Sequence, residues 1–331
     1  MNDKKPFFKS LKGILTLIWF LLLFSFLALR MGSASLSHQV FWGGLLCQKE
    51  FETETIILYQ IRMPRIIGAI LAGFGLSVSG VLLQNVTGND LAGPNIIGVN
   101  AGAGFAIILL MCFFPTAIHL FPPISFCGAF LTTLLIVTLS TSINRSKSTV
   151  VLAGVAVTAM LNAGISFLCL LYPDVLVSYN YFSVGGLSGI VPEELIVPAM
   201  MIFPCITLAI FFSRQMDTLY LGDSLAVSLG VNAKRLRIFA LILASACAAA
   251  AVSFVGLLGF VGLVVPHIAR KLVGQGMKFL VPVSAITGAI LVLAADLVGR
   301  TLFAPTELPV GIVMALIGAP FFFWLLIRGR Y

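Results

Sequence analysis

Charge is what this chain lacks most. Of its 331 residues only 10% are Asp, Glu, Lys or Arg, while 60% are hydrophobic. An ordinary soluble domain carries about 25% charge, and a water-soluble fold of this length cannot cover its surface with so little. Long polar stretches are missing as well, so residues 1–331 read as one transmembrane domain with no soluble domain attached. No Walker sequence is present, so work driven by ATP needs another chain to hydrolyse it. The six cysteines have no CxxC or Cys/His spacing; five lie in apolar spans as small packing residues, which leaves no metal site. His38, His119 and His267 fall in different segments, with no HExxH and no Ser/His/Asp arrangement. No catalytic residue and no cofactor are therefore expected. The net charge of +8 does not point to nucleic acid, because no basic stripe alternates with aromatics.

What is present is a series of apolar runs. A span needs roughly 20 apolar residues. Such runs fall near 14–29, 64–84, 96–114, 124–143, 150–171, 195–213, 236–254, 257–272, 282–302 and 310–327, which makes ten. The basic start MNDKKPFFKSLK resembles a signal peptide, but no convincing cleavage site follows, so the first run reads as an uncleaved span. Twenty-seven Phe and 31 Gly suit a helical bundle in lipid: Phe faces lipid cheaply and Gly lets helices approach closely. With the N-terminus in the cytoplasm, fifteen of the 20 Lys and Arg lie inside and five outside, a bias that orients both termini to the cytoplasm. Seven acids, Glu307 among them, fall outside.

Residues 65–72, RIIGAILA, are echoed by 237–244, RIFALILA, at five of eight positions. The first opens span 2 from outside and the second opens span 7 from inside. An inverted repeat of spans 2–5 and 7–10 has that form, although apolar segments also share letters by chance. The interior is almost empty of charge. Asp296, in span 9, is the exception, and Arg300 one turn later at i+4 is its expected partner. A lone carrier coupled to protons or sodium needs more carboxylates at mid-depth. Arg62 and Arg65 lie at the outer start of span 2, with Pro64 suited to a first helical turn. Arg300 lies at the outer end of span 9. Read alone, the three are snorkelling interfacial arginines.

Three glycine-broken segments are specific. They are RMPRIIGAILAGFGLSVSGVLLQNVTGNDLAGPNIIGVNAGAG (62–104), LAGVAV (152–157), and the block GFVGLVVPHIARKLVG (259–274) with LAADLVGRTLFAPTELPVGIVMALIGAPFFFWLL (293–326). Together with YLGDSLAVSLGVNAKRLR (220–237) they resemble the iron-chelate and cobalamin permease family of bacterial ATP-binding-cassette (ABC) importers. The resemblance runs from about residue 60 to the end; the first 60 residues match only in character.

The resemblance implies an all-α permease of ten transmembrane helices in the bacterial cytoplasmic membrane. It implies a second permease subunit, the same or different, with the pathway between the two. It also implies two cytoplasmic ATPase subunits and an extracytoplasmic substrate-binding protein. The loop 213–237 would hold the coupling helix that docks on the ATPase, with Gly222, Asp223, Ala226, Leu229 and Gly230 as its residues; Asp223 suits an N-cap and Gly230 a helix end. A bare amphipathic loop helix lying on the membrane is the plainer alternative. Arg62, Arg65 and Arg300 match family positions that receive glutamates of the binding protein. The turns holding Asn89, Asp90, Leu91 and Lys147, Ser148 match cytoplasmic gates. The family's Asn-Pro-Leu is Asn-Asp-Leu here, which implies a less rigid turn. Small-polar Ser77, Ser79, Thr158, Asn162 and Ser166 suit a low-affinity passage. An iron-siderophore is the expected cargo, with haem or cobalamin as alternatives; a secondary transporter and a membrane-embedded enzyme are the competing classes.

Overall fold

The computed structural model describes residues 11–32, 36–143, 147–220, 228 and 230–328, and among these there is helix and no strand. The helices, in chain order, begin with α1 (Leu11–Arg30), α2 (His38–Leu45), α3 (Glu52–Ile56), α4 (Met63–Thr87) and α5 (Val99–Phe113). Next come α6 (Phe121–Ile143), α7 (Lys147–Leu171), α8 (Leu176–Val184), α9 (Pro192–Phe211) and α10 (Ser213–Tyr220). The chain ends with α11 (Ala233–Val255), α12 (Val261–Val273), α13 (Met277–Thr301) and α14 (Val310–Arg328). Seven helical segments, containing α1, α4, α6, α7, α9, α11 and α13, are long and apolar enough to cross a membrane. α5 and α14 are shorter apolar helices. α12, counted as a full span from hydropathy, is only 13 residues long and carries Arg270 and Lys271 in its last turn.

α4 is the axis of the molecule. It packs on α13, α11, α12 and α9, and small residues make the close approach feasible. A Cβ placed on Gly288 of α13 would lie 2.5 Å from the Gly73 carbonyl oxygen, so the two backbones touch. At Gly80 a Cβ would collide with the Gly262 carbonyl that opens α12. On α11 the run Ala248–Ala251 is wholly buried. α4 and α13 run antiparallel, since Gly73 meets Gly288 while Arg65 meets Asp296. α4 is mostly buried, whereas α1 and α7 are mostly bare. An apolar helix with a mostly bare surface is facing lipid or another chain.

Two irregular segments break the helical packing, 88–98 and 256–260. α4 ends at Gly88 (φ 63°), and 88–98 turns back so that Pro94 lies against Gly262. α5 then starts after Gly98 (φ 71°), and α12 starts after Phe260 (φ 66°). The two segments meet at a cavity of about 120 Å3 lined by Gly93, Pro94, Asn95 and Phe260. Away from water, non-helical backbone is tolerated only where it is buried in protein or lines a cavity. In the order of the sequence echo, α4 to α7 have 25, 15, 23 and 25 residues, and α11 to α14 have 23, 13, 25 and 19.

Candidate functional site: a buried arginine cluster and the opposite turn

At one end of the bundle the C-termini of α1 and α13 meet the N-terminus of α4. The chain enters α4 through a π-helical turn, Ile57–Arg62, and Pro64 sits in the first turn of α4. This geometry brings Arg62, Arg65 and Arg300 together, and all three are buried, at 4%, 7% and 2% exposure. Each of the three is turned inward and bonded within the chain. Arg62 Nη1 donates to the carbonyl oxygens of Leu29 and Arg30, at 2.8 and 2.9 Å. Arg300 Nη2 donates to the Ala28 carbonyl at 2.5 Å. The last carbonyls of a helix have no partner within it, and that end carries about −0.5 of a charge. Arg62 and Arg300 thus cap α1.

Arg65 has a different task. Its Nε and Nη2 both donate to Asp296 Oδ1, at 3.0 and 2.9 Å, and Nε lies 3.1 Å from Oδ2. Its Nη1 donates to Glu307 Oε2 at 2.6 Å. Asp296 also meets Arg300, at 3.5 Å between Nε and Oδ2. The i+4 pair on α13 is thus present, but the short fork to Asp296 comes from Arg65, 231 positions away. Glu307, in the 302–309 loop between α13 and α14, accepts a further bond from Ser188 Oγ at 3.2 Å. Three guanidinium groups face two carboxylates and one helix C-terminus, so this buried charge is close to balanced. Sequence reasoning counted Glu307 only as an outer acid, and nothing local in the sequence joins it or Ser188 to Arg65.

The opposite end holds the turn after α4. Asn89 Oδ1 accepts from the Leu91 amide at 2.9 Å, and Thr87 Oγ1 accepts from the Asn89 amide at 3.3 Å. Asp90 Oδ1 lies 3.1 Å from Arg270 Nη1 of α12, which also donates to Gln84 Oε1 at 2.6 Å. An Asx turn and a salt bridge to Arg270 shape Asn-Asp-Leu where the family's proline would sit. Lys147 and Ser148 open α7. Of the coupling residues, Gly222, Asp223, Ala226 and Leu229 lie outside the described residues. Gly230 is in the left-handed region, φ 77°. After it, Asn232 caps α11 by accepting from the Arg235 amide at 3.1 Å. Asp217 of α10 accepts from the Met277 amide at 2.9 Å, which ties this loop to the start of α13.

The small-polar residues divide. Ser77 and Ser79 are fully buried against neighbouring helices, so they line no open passage. Asn162 and Ser166 are exposed on α7, on the side that presents Met160, Phe167 and Leu170. Among the described residues no group of His, Cys, Asp and Glu is placed to hold a metal ion.

Comparison with known proteins fits this arrangement. The model of the FecCD transport family matches residues 20–328. The chain is 37% identical over 330 residues to the Fe(3+)-citrate import system permease protein YfmE of Bacillus subtilis (strain 168), covering 98% of this chain and 96% of that one. It is 35% identical to the hemin transport system permease protein HmuU of Yersinia pestis, with 91% of each chain covered. A solved structure described as an inward-facing conformation of a metal-chelate type ABC transporter superposes with a TM-score of 0.85 at 28% identity. It covers 97% of this chain and 100% of that one. With a family match over almost its whole length, and apolar helices that make it a multi-pass membrane protein, this chain belongs to the FecCD transport family.

Proposed function

We propose that the chain is the permease subunit of an ABC importer that carries an iron-siderophore across the bacterial cytoplasmic membrane. Its transport is alternating access driven by two partner ATPases, so the chain itself is not an enzyme. One observation carries the reading beyond family membership. α4 touches α13 through Gly73 and Gly288, α12 through Gly80 and Gly262, and the Cys247 carbonyl of α11 through Gly75, which leaves no room for a bulky chelate between them. α7, by contrast, presents Asn162 and Ser166 among bare apolar residues. A passage formed between two subunits at such a face touches its cargo lightly, and cargo choice then rests with the binding protein. Relatives named for iron-citrate and for hemin support an iron chelate as cargo and keep haem as the second reading; cobalamin is the more distant alternative.

The finer parts of the reading are proposals in the same sense. Both termini are cytoplasmic and the spans number ten, with α5, α12 and α14 crossing as short helices. The matching run of long, short, long, long helices, each short one entered from a left-handed residue, supports the inverted repeat. The 213–237 loop couples to the ATPase through Gly222, Asp223, Ala226, Leu229 and Gly230. The turns at Asn89, Asp90, Leu91 and at Lys147, Ser148 act as the cytoplasmic gate. The arginine end is the outer face, and the binding protein lands there, with Arg65 as the arginine that meets its carboxylate. The test is reconstitution with the cognate ATPase and binding protein in vesicles. Uptake of radio-iron as a siderophore complex, dependent on ATP and on the binding protein, is the expected result. Uptake by this chain alone, following a proton or sodium gradient, overturns it; uptake of haem in place of the siderophore moves the cargo to the second reading.

A further inference from the structure

Arg65 holds two carboxylates that differ in one respect. Asp296 sits on α13 with its side chain 3% exposed and takes the two-nitrogen fork of Arg65. Glu307 sits on a loop with its side chain 28% exposed and accepts from Nη1 of Arg65. Withdrawing Asp296 would strand charge in an apolar interior, which is strongly unfavourable. Withdrawing Glu307 would return a carboxylate to water and leave one face of a guanidinium open.

From this we propose that Glu307 is a displaceable counter-ion of Arg65, exchanged for a carboxylate of the extracytoplasmic binding protein when that partner docks. The proposal rests on the docking reading given above and adds a competition to it. Without Glu307 the cluster keeps three arginines against one carboxylate, an excess that attracts an acidic surface. The exchange also has a path into the fold. Glu307 is tied to Ser188, and the segment containing Ser188 begins at Gly185, whose carbonyl accepts from the Gly311 amide at 3.1 Å. Its neighbour Gly186 donates to the Val255 carbonyl at 2.9 Å. A carboxylate leaving Arg65 and Ser188 therefore releases a tether between the α8–α9 segment and the loop that leads into α14.

The experiment uses the assembled transporter in nanodiscs and the binding protein of the same import system, with affinity measured across a salt series. Glu307→Gln keeps the shape and removes the competing charge; it should tighten binding about two- to fivefold at low salt, the scale of an exposed ion pair. The gain should shrink at 1 M salt, where the Debye length is about 3 Å. Arg65→Lys keeps the charge against Asp296 but loses the second arm, and should weaken binding. In the Arg65→Lys background, Glu307→Gln should bring no gain. If Arg65→Lys weakens binding while Glu307→Gln leaves it unchanged or weaker, the exchange is wrong and the docking reading stands. If Glu307→Gln tightens binding equally in both backgrounds, Arg65 is not the exchanged group and the proposal fails. If neither variant changes affinity or its salt dependence, docking at this cluster is wrong and the exchange falls with it. Thermal stability in detergent, measured beside each variant, identifies any loss caused by unfolding.

Discussion

The two ends of α4 handle charge in opposite ways. At its N-terminus five ionised groups and a helix C-terminus are closed into a buried network spanning α1, α4, α13 and the 302–309 loop. At its C-terminus Asp90, with a 38% exposed side chain, reaches Arg270 from a turn. At the first end Asp296 and the three arginines have no water to fall back on, so their pairing is obligatory, while Glu307 at the edge of the network is 28% exposed. At the second end Asp90 is hydrated whether paired or not, and Arg270, 11% exposed, keeps Gln84 as a second partner, so their ion pair can open at little cost. A rigid end and a yielding end on one helix suit the gate proposed for the second end.

Four substitutions test that contrast, from the largest effect to the smallest. Asp296→Ala leaves Arg65 and Arg300 facing each other without their shared carboxylate, and should cost about 3–5 kcal/mol. Thermal unfolding in detergent reads it; a loss below about 1 kcal/mol would mean the cluster is hydrated and the contrast is unreal. Gly288→Ala drives a methyl into the Gly73 carbonyl and should cost about 1–3 kcal/mol by overpacking. Its unfolding curve is the check, and unchanged stability would show that α4 and α13 separate freely. Gly230→Ala places a Cβ at φ 77°, at a local cost of about 1–2 kcal/mol. The expected result is normal assembly with reduced transport per ATP hydrolysed, measured side by side; full transport would remove Gly230 from the coupling role. Asp90→Asn should change stability by less than about 1 kcal/mol. A double-mutant cycle with Arg270→Gln should give a small coupling energy that disappears at high salt. A coupling that persists at 1 M salt would place this end in the same class as the first.

The sequence was a good guide to what each segment is and a poor one to what it meets. Hydropathy located the long helices to within a few residues, because exclusion from water acts along the chain. It overstated the length of α12, because residues 256–260 spend part of that apolar run on a break. Asp296 was visible as the exceptional intramembrane acid, yet Arg300 looked like its partner because i+4 neighbours are adjacent on a helix. Arg65 makes the shorter fork because α4 and α13 cross closely at Gly73 and Gly288, so the N-terminus of α4 is brought to the C-terminal turn of α13. Arg62 and Arg300 looked like interfacial groups for a related reason: no local pattern says that α1 ends beside them with three carbonyls to satisfy. The tie between Asp90 and Arg270 was out of reach in the same way, since the two are 180 positions apart in the chain.

The sequence by itself determined the solvent of this protein, its helical class, its family and which few residues carry charge into the apolar depth. Those follow from composition and from period, which are properties of a segment alone. Only the tertiary structure decided which charges neutralise one another, which arginines cap a helix, and which serines are packed away from the α7 face. Those are pairings between distant segments, and they are selected by where glycines let backbones touch and by the need of every buried charge and orphaned carbonyl to find a partner.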